Sequence, residues 1–184
     1  MVKDGQGTTK ATPVVVDSGE RGAALVEAAF VMMLLLMLLL GTVTAAMAYG
    51  QYTSLQTAAR ESTRFGATLP VGTDLNAWLD KVLDVSRAAA VGDLDSGVAG
   101  QYICVAYVYP AGTTANDQTR RLVETLGVTG SPETGADCFS DGRPNDERRV
   151  QVVVRREATI QTVVFAVKVT LEAPAAARFE REGS

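Results

Sequence analysis

One acidic residue lies inside an apolar stretch near the N-terminus, and its spacing from a glycine is the most specific chemical feature of the chain. Glu27 follows Gly22 by five residues, and no charged residue occurs from Ala28 to Ala48. A carboxylate costs about 2.5–3.5 kcal/mol at the centre of a membrane-spanning helix and less near the interface. Glu27 is therefore expected to have a partner.

Few other residues are arranged for chemistry. The chain has no histidine, the commonest general base, and no phosphate-binding or nucleophile-elbow motif. With no C-x-x-C spacing either, we expect no enzyme activity, no metal site and no cofactor. The net charge of −4 argues against a nucleic-acid partner. Arg148-Arg149 and Arg155-Arg156 flank a predicted strand, and are interpreted either as a docking surface for an acidic partner or as solvated positions at a sheet edge.

Both cysteines, Cys104 and Cys138, lie C-terminal to the apolar stretch. Three basic residues precede that stretch, and only Arg60 and Arg64 follow it within about the next 20 residues, which favours a cytoplasmic N-terminus. The cysteines would then lie in an oxidising compartment, where a disulfide is expected; two unrelated free thiols are the alternative. A Cys104–Cys138 bond would close a loop of about 35 residues, which the chain-entropy model values at about 4 kcal/mol.

The apolar stretch is long enough to cross a bilayer. About 20 helical residues span the hydrocarbon core, so we expect a disordered leader over 1–22, a transmembrane helix over 23–48 and an extracytoplasmic domain over 49–184. The helix is predicted from Gly22 to about Gly66 and is ended by Pro70. Small and apolar residues recur on one face beyond the lipid, where another helix or a sheet can approach: Ala45, Ala48, Tyr52, Leu55, Ala59, Ser62 and Gly66.

A small α+β domain is predicted after this helix, with a sheet of three to four mainly antiparallel strands and short helices. A second helix is expected over 74–90, with Thr73 or Asp74 as its cap, and a short one from Asn116 or Asp117 to Leu126. The predicted strands are 101–109, 149–155 and 160–171. The first is placed inside the sheet because both its faces are apolar. The other two are expected to pair through a turn near Glu157.

A resemblance to a known family rests on three segments of the sequence. The glycine, the four small or apolar residues, the glutamate and the long apolar helix together resemble the N-terminal signal of the type IV pilin superfamily. The segment AARESTRFGA and the chain end LEAPAAARFERE are similar to the narrower TadE-like family of pseudopilins, which are minor components of tight-adherence (Flp) pilus machines. The likeness covers roughly Gly22 to Pro70. The signal around Gly22 and Glu27 is specific because the positions of these two residues, their residue types and the apolar run that follows must all coincide.

The resemblance implies a pilin-like fold and a structural function in pilus assembly or secretion. A prepilin peptidase would cut between Gly22 and Ala23, and Glu27 would become the fifth residue of the mature chain and meet the free amine of a neighbouring subunit. The implied partners are the peptidase, other pilins and pseudopilins, the pilus assembly platform and the lipid bilayer. The implied location is the bacterial cytoplasmic membrane or an extracellular pilus.

Other interpretations of the apolar helix stay open at this point. It could be a signal anchor with an incidental acidic residue, or a signal peptide cleaved at the weak site that Ala46 and Ala48 provide, although its apolar core exceeds the usual 7–15 residues. It could also be the passive tether of an extracytoplasmic binding or adhesion module. Gly22 and Glu27 discriminate between these interpretations and a pseudopilin, because a tether needs neither residue.

Overall fold

Two helices and one antiparallel sheet of six strands make up the part of the chain that the structure describes. The computed structural model describes residues 18–90, 94, 100–109, 119–125, 127–143, 147–161 and 165–179. In chain order the elements are α1 (Ser18–Thr68), α2 (Leu75–Ala89), β1 (Tyr102–Val108), β2 (Arg120–Thr125), β3 (Val128–Thr129), β4 (Glu133–Thr134), β5 (Arg149–Gln161) and β6 (Ala166–Arg178). The chain divides into two compact units, and the boundary lies between Leu40 and Gly41.

Helix α1 begins at Ser18, four residues before the predicted start at Gly22, so it includes the last part of the predicted leader. Residues 1–17 of that leader lie outside the described residues. The helix ends at Thr68, as expected from Pro70, because proline disfavours helical backbone in the residue before it. Among the described helices α1 alone is long and apolar enough to cross a membrane, with a mean hydropathy of 2.6 over its most apolar 18-residue window.

The C-terminal part of α1 packs in the second unit through its small residues. A Cβ atom built on Gly66 would lie 3.1 Å from Cγ1 of Val150 and 3.2 Å from Cζ2 of Trp78. Glycine therefore lets the helix backbone come close to the sheet and to α2. Four of the predicted positions are buried, namely Leu55, Ala59, Ser62 and Gly66, whereas Ala45 is exposed.

Helix α2 agrees with the prediction. The carboxylate of Asp74 caps it by accepting hydrogen bonds from the backbone N–H groups of Asn76 and Ala77. Its buried face carries Trp78, Leu79, Val82, Leu83 and Ser86. The α1–α2 connection is held by the indole N–H of Trp78, which donates to the carbonyl of Leu69 at 3.3 Å.

The sheet has the strand order β3-β2-β1-β5-β6, with β4 also paired to β2. β1 lies between β2 and β5, as its two apolar faces indicated. The predicted count of three to four strands is wrong, because β2 and the short edge strands β3 and β4 were not foreseen. The predicted short helix is wrong over 120–125, where the chain pairs with β1 and buries Leu122 and Glu124 on one face; residues 116–118 and 126 lie outside the described residues.

Strands β5 and β6 form a long hairpin from Arg149↔Arg178 to Gln161↔Ala166. The antiparallel pairing was predicted, but the turn near Glu157 is wrong, because Glu157 lies opposite Thr170 within the ladder. Residues 155–157 instead continue β5, and each of them is paired with a residue of β6.

The hydrophobic core lies between one sheet face and the two helices. Trp78 meets the ring of Tyr107 edge-on, with centroids 5.4 Å apart. The strands contribute Ile103, Val105, Tyr107, Leu122, Val150, Val152, Val154 and Ala173.

Candidate functional site

The three residues of the predicted processing and assembly signal, Gly22, Ala23 and Glu27, all lie exposed on α1. A Cβ atom built on Gly22 would meet no described atom within 4 Å, so this glycine has no packing role there. Glu27 lies four residues after Ala23, which corresponds to about 6 Å along the helix axis and about one turn. The side chains of the pair can therefore share one face of α1.

Large apolar side chains are exposed along α1 between Leu25 and Leu40. Leu25 is 72% exposed, Phe30 69% and Leu38 59%. Water-soluble proteins rarely expose a continuous apolar patch of this kind, which marks a surface that meets lipid or protein. The helix and its exposed surface fit a single-pass membrane protein.

A disulfide joins Cys104 of β1 to Cys138, with the two Cα atoms 5.9 Å apart. The predicted pairing is present in the structure. Since Ile103 and Val105 point into the core, Cys104 points to the opposite sheet face. Residues 135–143, named here the staple loop, are thus attached to the face that the helices do not cover.

A buried glutamine holds the backbone of the staple loop. Gln151 is 0% exposed. Its Oε1 accepts from the backbone N–H of Cys138 at 3.1 Å, and its Nε2 donates to the carbonyl of Phe139 at 2.9 Å and to Oδ2 of Asp141 at 3.2 Å. Both ends of the amide are therefore used, as burial of a polar group requires.

An ion pair lies beside this glutamine. Nε of Arg149 is 2.7 Å from Oδ2 of Asp141, and the two side chains are only 4% and 6% exposed. Burial raises the pKa of Asp141, but hydrogen bonds from the backbone of Arg143 and from Gln151, with the positive charges of Arg149 and Arg143, outweigh it and hold the pKa below its ordinary value. The carboxylate is therefore stabilised in its charged form.

Arg149 and Arg155 do not lie at a sheet edge. From Arg149 to Arg155, β5 runs between β1 and β6, so the interpretation as solvated edge positions is wrong for these two residues. Arg149 is buried against Asp141, and the guanidinium of Arg155 lies 5.5 Å from the centroid of the Tyr102 ring. The side chains of Arg149 and Arg155 make their contacts within the fold. They therefore do not support the interpretation as a docking surface for an acidic partner.

Sequence reasoning missed the cluster of Asp141, Arg149 and Gln151. A signal was present, because Gln151 is a polar residue within a run of valines. No group of three or more potential metal ligands occurs among the described side chains.

Comparison with known proteins adds a family for the N-terminal helix. No curated protein and no solved structure matches the chain. The family model described as TadE-like protein matches residues 22–64, which contain Gly22, Glu27 and most of α1. Over this helical segment the chain is therefore similar to TadE-like proteins, which is consistent with a component of a tight-adherence pilus system.

Proposed function

We propose that this chain is a minor pseudopilin-like structural component of a tight-adherence pilus machine, processed by a prepilin peptidase and assembled through α1. The observation that carries the proposal is the position of the TadE-like match, which begins at Gly22 and includes both Glu27 and the exposed apolar surface of α1. A purely passive tether would need the apolar surface alone.

Processing is proposed between Gly22 and Ala23, after membrane insertion of a helix over residues 23–48. The bond lies within α1, so the helix must open locally before an enzyme can reach an extended backbone. Gly22 favours this opening, because glycine destabilises a helix interior by about 1 kcal/mol relative to alanine. The measurement is the N-terminal sequence of the membrane-extracted protein, expected to begin Ala23-Ala24-Leu25.

The variant Gly22→Val should accumulate as the longer, uncut chain. Gly41→Val is the matched control, because it places the same β-branched residue in α1 away from the bond and meets no described atom within 4 Å. Normal processing of Gly22→Val would refute this cleavage site, and an intact Met1 in the wild type would favour the membrane-tethered binding module.

Glu27 is proposed to pair with the new amine of a neighbouring subunit. Entry into the array would bring the carboxylate of one chain to the ammonium of the next, which reduces the cost of two separate charges at the edge of the lipid. Glu27→Gln should be inserted, cut and folded, yet recover other pilins poorly and reduce piliation. Glu61→Gln, which changes an exposed carboxylate further along α1, should behave as wild type. Wild-type piliation in Glu27→Gln would count against the assembly role.

An extracytoplasmic location is proposed for the domain, with the N-terminus in the cytoplasm. The Cys104–Cys138 bond supports this orientation, because structural disulfides persist in oxidising compartments and are rare in the cytoplasm. Protease added outside intact spheroplasts should digest the domain. Protection from external protease would place the domain on the cytoplasmic side.

A further inference from the structure

The two cysteines of the disulfide differ in how far an external reagent can reach them. Cys104 is 3% exposed and lies in β1, the central strand, between Val123 of β2 and Val153 of β5. Cys138 is half-buried and belongs to the staple loop, which contains no strand over residues 135–143. The chain around Cys138 can therefore yield to an approaching molecule more easily than the hydrogen-bonded ladder around Cys104.

Two side chains hold the backbone of the staple loop against the sheet. Arg121 of β2 and Gln151 of β5 both lie opposite Ala106 of β1, so the three residues form one row across three strands and share a face. Nη1 of Arg121 donates to the carbonyl of Asp137 at 3.3 Å, and Gln151 makes its hydrogen bonds to the two residues that follow. The staple loop therefore crosses the sheet over Ala106, whose small side chain is 0% exposed.

None of these hydrogen bonds involves sulfur, so the reduced chain can form them as well. Cys104 lies two residues before Ala106 on the same face of β1, and its Cα atom is 5.9 Å from that of Cys138. The buried ion pair of Asp141 and Arg149 attaches the loop at a further point. The hydrophobic core lies on the other face of the sheet and does not depend on the disulfide. We therefore expect the reduced domain to fold with Cys104 still covered and with the two thiols within reach of each other.

We propose that Cys138 is the thiol that an external disulfide attaches to first in the folded domain, and that Cys104 is the buried thiol that completes the bond. The oxidant is the active-site disulfide of a thiol–disulfide oxidoreductase, the chemical class that exchanges disulfides with proteins in oxidising compartments. The inference rests on the proposed extracytoplasmic location, since disulfides rarely form and persist in the cytoplasm. Arg121 and Gln151 are positioning residues, because they hold the backbone that carries Cys138.

The exchange proceeds in two balanced steps. In the first, the thiolate of Cys138 attacks one sulfur of the oxidant; a mixed disulfide forms, the bond within the oxidant breaks, and its other sulfur leaves as a thiolate. In the second, Cys104 loses its proton and its thiolate attacks Sγ of Cys138, so that the protein disulfide forms while the mixed disulfide breaks and releases the second sulfur of the oxidant. The two cysteines lose two electrons, and the oxidant gains these electrons with two protons and becomes a dithiol.

The order of attack is tested on the full chain in detergent, reduced and then freed of reductant, with dithiobis(nitrobenzoate) as the external disulfide. Each attack on this reagent releases a coloured thiolate, so the absorbance gives the rate. The chain has two cysteines, so only Cys138 can react in Cys104→Ser and only Cys104 in Cys138→Ser. We expect Cys138 to react at least about tenfold faster, because attack by the buried thiol requires local opening of the sheet. In concentrated urea, as the matched control, the two rates should become similar.

The positioning role is tested on the second step of the same reaction. The reduced wild type should release two coloured thiolates per chain, and the second release reports bond closure by Cys104. Gln151→Ala should slow this second release about tenfold or more and leave the first at least as fast, because the loop backbone is then less well placed. Arg121→Met, at a side chain that is 33% exposed, should slow the same step and serves where Trp78 fluorescence shows Gln151→Ala to be unfolded. Gln56→Ala, which changes a glutamine on α1, should alter neither step.

Each other outcome overturns a distinct part of the inference. Equal rates for the two thiols in the folded chain, or a faster Cys104, would refute the order of attack. An unchanged second step in the folded Gln151 and Arg121 variants would refute the positioning role. In cells that are acid-quenched and alkylated, Cys104→Ser should be found in a mixed disulfide with a second protein, and Cys138→Ser should not. A mixed disulfide through Cys104, or through neither cysteine while the wild type is oxidised, would refute entry through Cys138, whereas a wild type with both thiols reduced would refute the proposed location and the oxidant together.

Discussion

Removal of the charge on Asp141 should strongly destabilise the second unit. In Asp141→Asn the shape is kept, but one amide oxygen must replace two carboxylate oxygens. In the wild type, Oδ1 accepts from the backbone N–H of Arg143 at 3.1 Å, and Oδ2 accepts from Nε2 of Gln151 at 3.2 Å and lies 2.7 Å from the positively charged Nε of Arg149. Whichever way the asparagine amide is oriented, it turns an N–H₂ group towards a donor.

The expected loss in the free energy of unfolding is about 3 kcal/mol, at the lower end of the 3–5 kcal/mol range for breaking a buried ion pair, because one acceptor survives. Urea unfolding of the full chain in detergent can be followed by Trp78, the single tryptophan, which is 2% exposed. With a slope of about 1–3 kcal/mol/M, the midpoint should fall by about 1–3 M. Asp137→Asn is the matched control, because it changes an exposed carboxylate in the same staple loop.

The double variant Asp141→Asn with Arg149→Met should recover most of this loss, because it also removes the buried positive charge. The effect should depend on pH with a defined sign. Since folding lowers the pKa of Asp141, its contribution is complete above the unfolded value of about 3.9 and is lost as the pH falls through the folded value. The wild-type and Asp141→Asn stabilities should therefore converge only below about pH 4. A loss under about 1 kcal/mol at pH 7, or an equal loss in Asp137→Asn, would refute the reasoning.

Two further changes test other parts of the fold. Cys104→Ser with Cys138→Ser should cost about 4 kcal/mol by releasing a loop with a sequence separation of 34, measured by urea unfolding against the oxidised wild type, and a loss below about 1 kcal/mol would contradict a structural disulfide. Gly66→Val should cost about 1–3 kcal/mol, because its methyl groups meet Val150, Trp78 and Val82, whereas Gly50→Val has no described atom within 4 Å of its Cβ and should change the melting temperature little; equal effects would contradict the close helix–sheet packing.

The elements that could be predicted from the sequence are those whose signal is local. The long apolar run, the cap at Asp74 and the valine-rich strands each carry their own pattern, and all appear in the structure. β2 was missed because RRLVET has only two strongly apolar residues, and pairing with β1 decides its conformation. Tertiary contacts commonly override weak propensity of this kind.

The staple loop could be predicted only in part. The disulfide could be predicted because the apolar helix indicated that both cysteines lie in an oxidising compartment. That prediction did not depend on how the strands pair. The contacts of Asp141 and Gln151 depend on the path by which the loop crosses the sheet, and the sequence spacing does not determine that path. The extent of the β5–β6 hairpin could not be predicted for the same reason, because charged residues such as those at 155–157 occur both in turns and within strands.

The distribution of buried residues separates folding from the proposed assembly. The hydrophobic core uses α1 only from Leu55 onward, whereas Gly22 and Glu27 are exposed in the other compact unit. A change at Glu27 should therefore leave the urea midpoint of the Trp78 transition unchanged even where piliation is reduced. Conversely, Asp141→Asn should lower that midpoint while the proposed cleavage after Gly22 proceeds normally, because the proposed cleavage site on α1 lies outside the core. If both variants shifted the midpoint and both impaired processing, the two units would be energetically coupled, and the assignment of distinct tasks to them would be wrong.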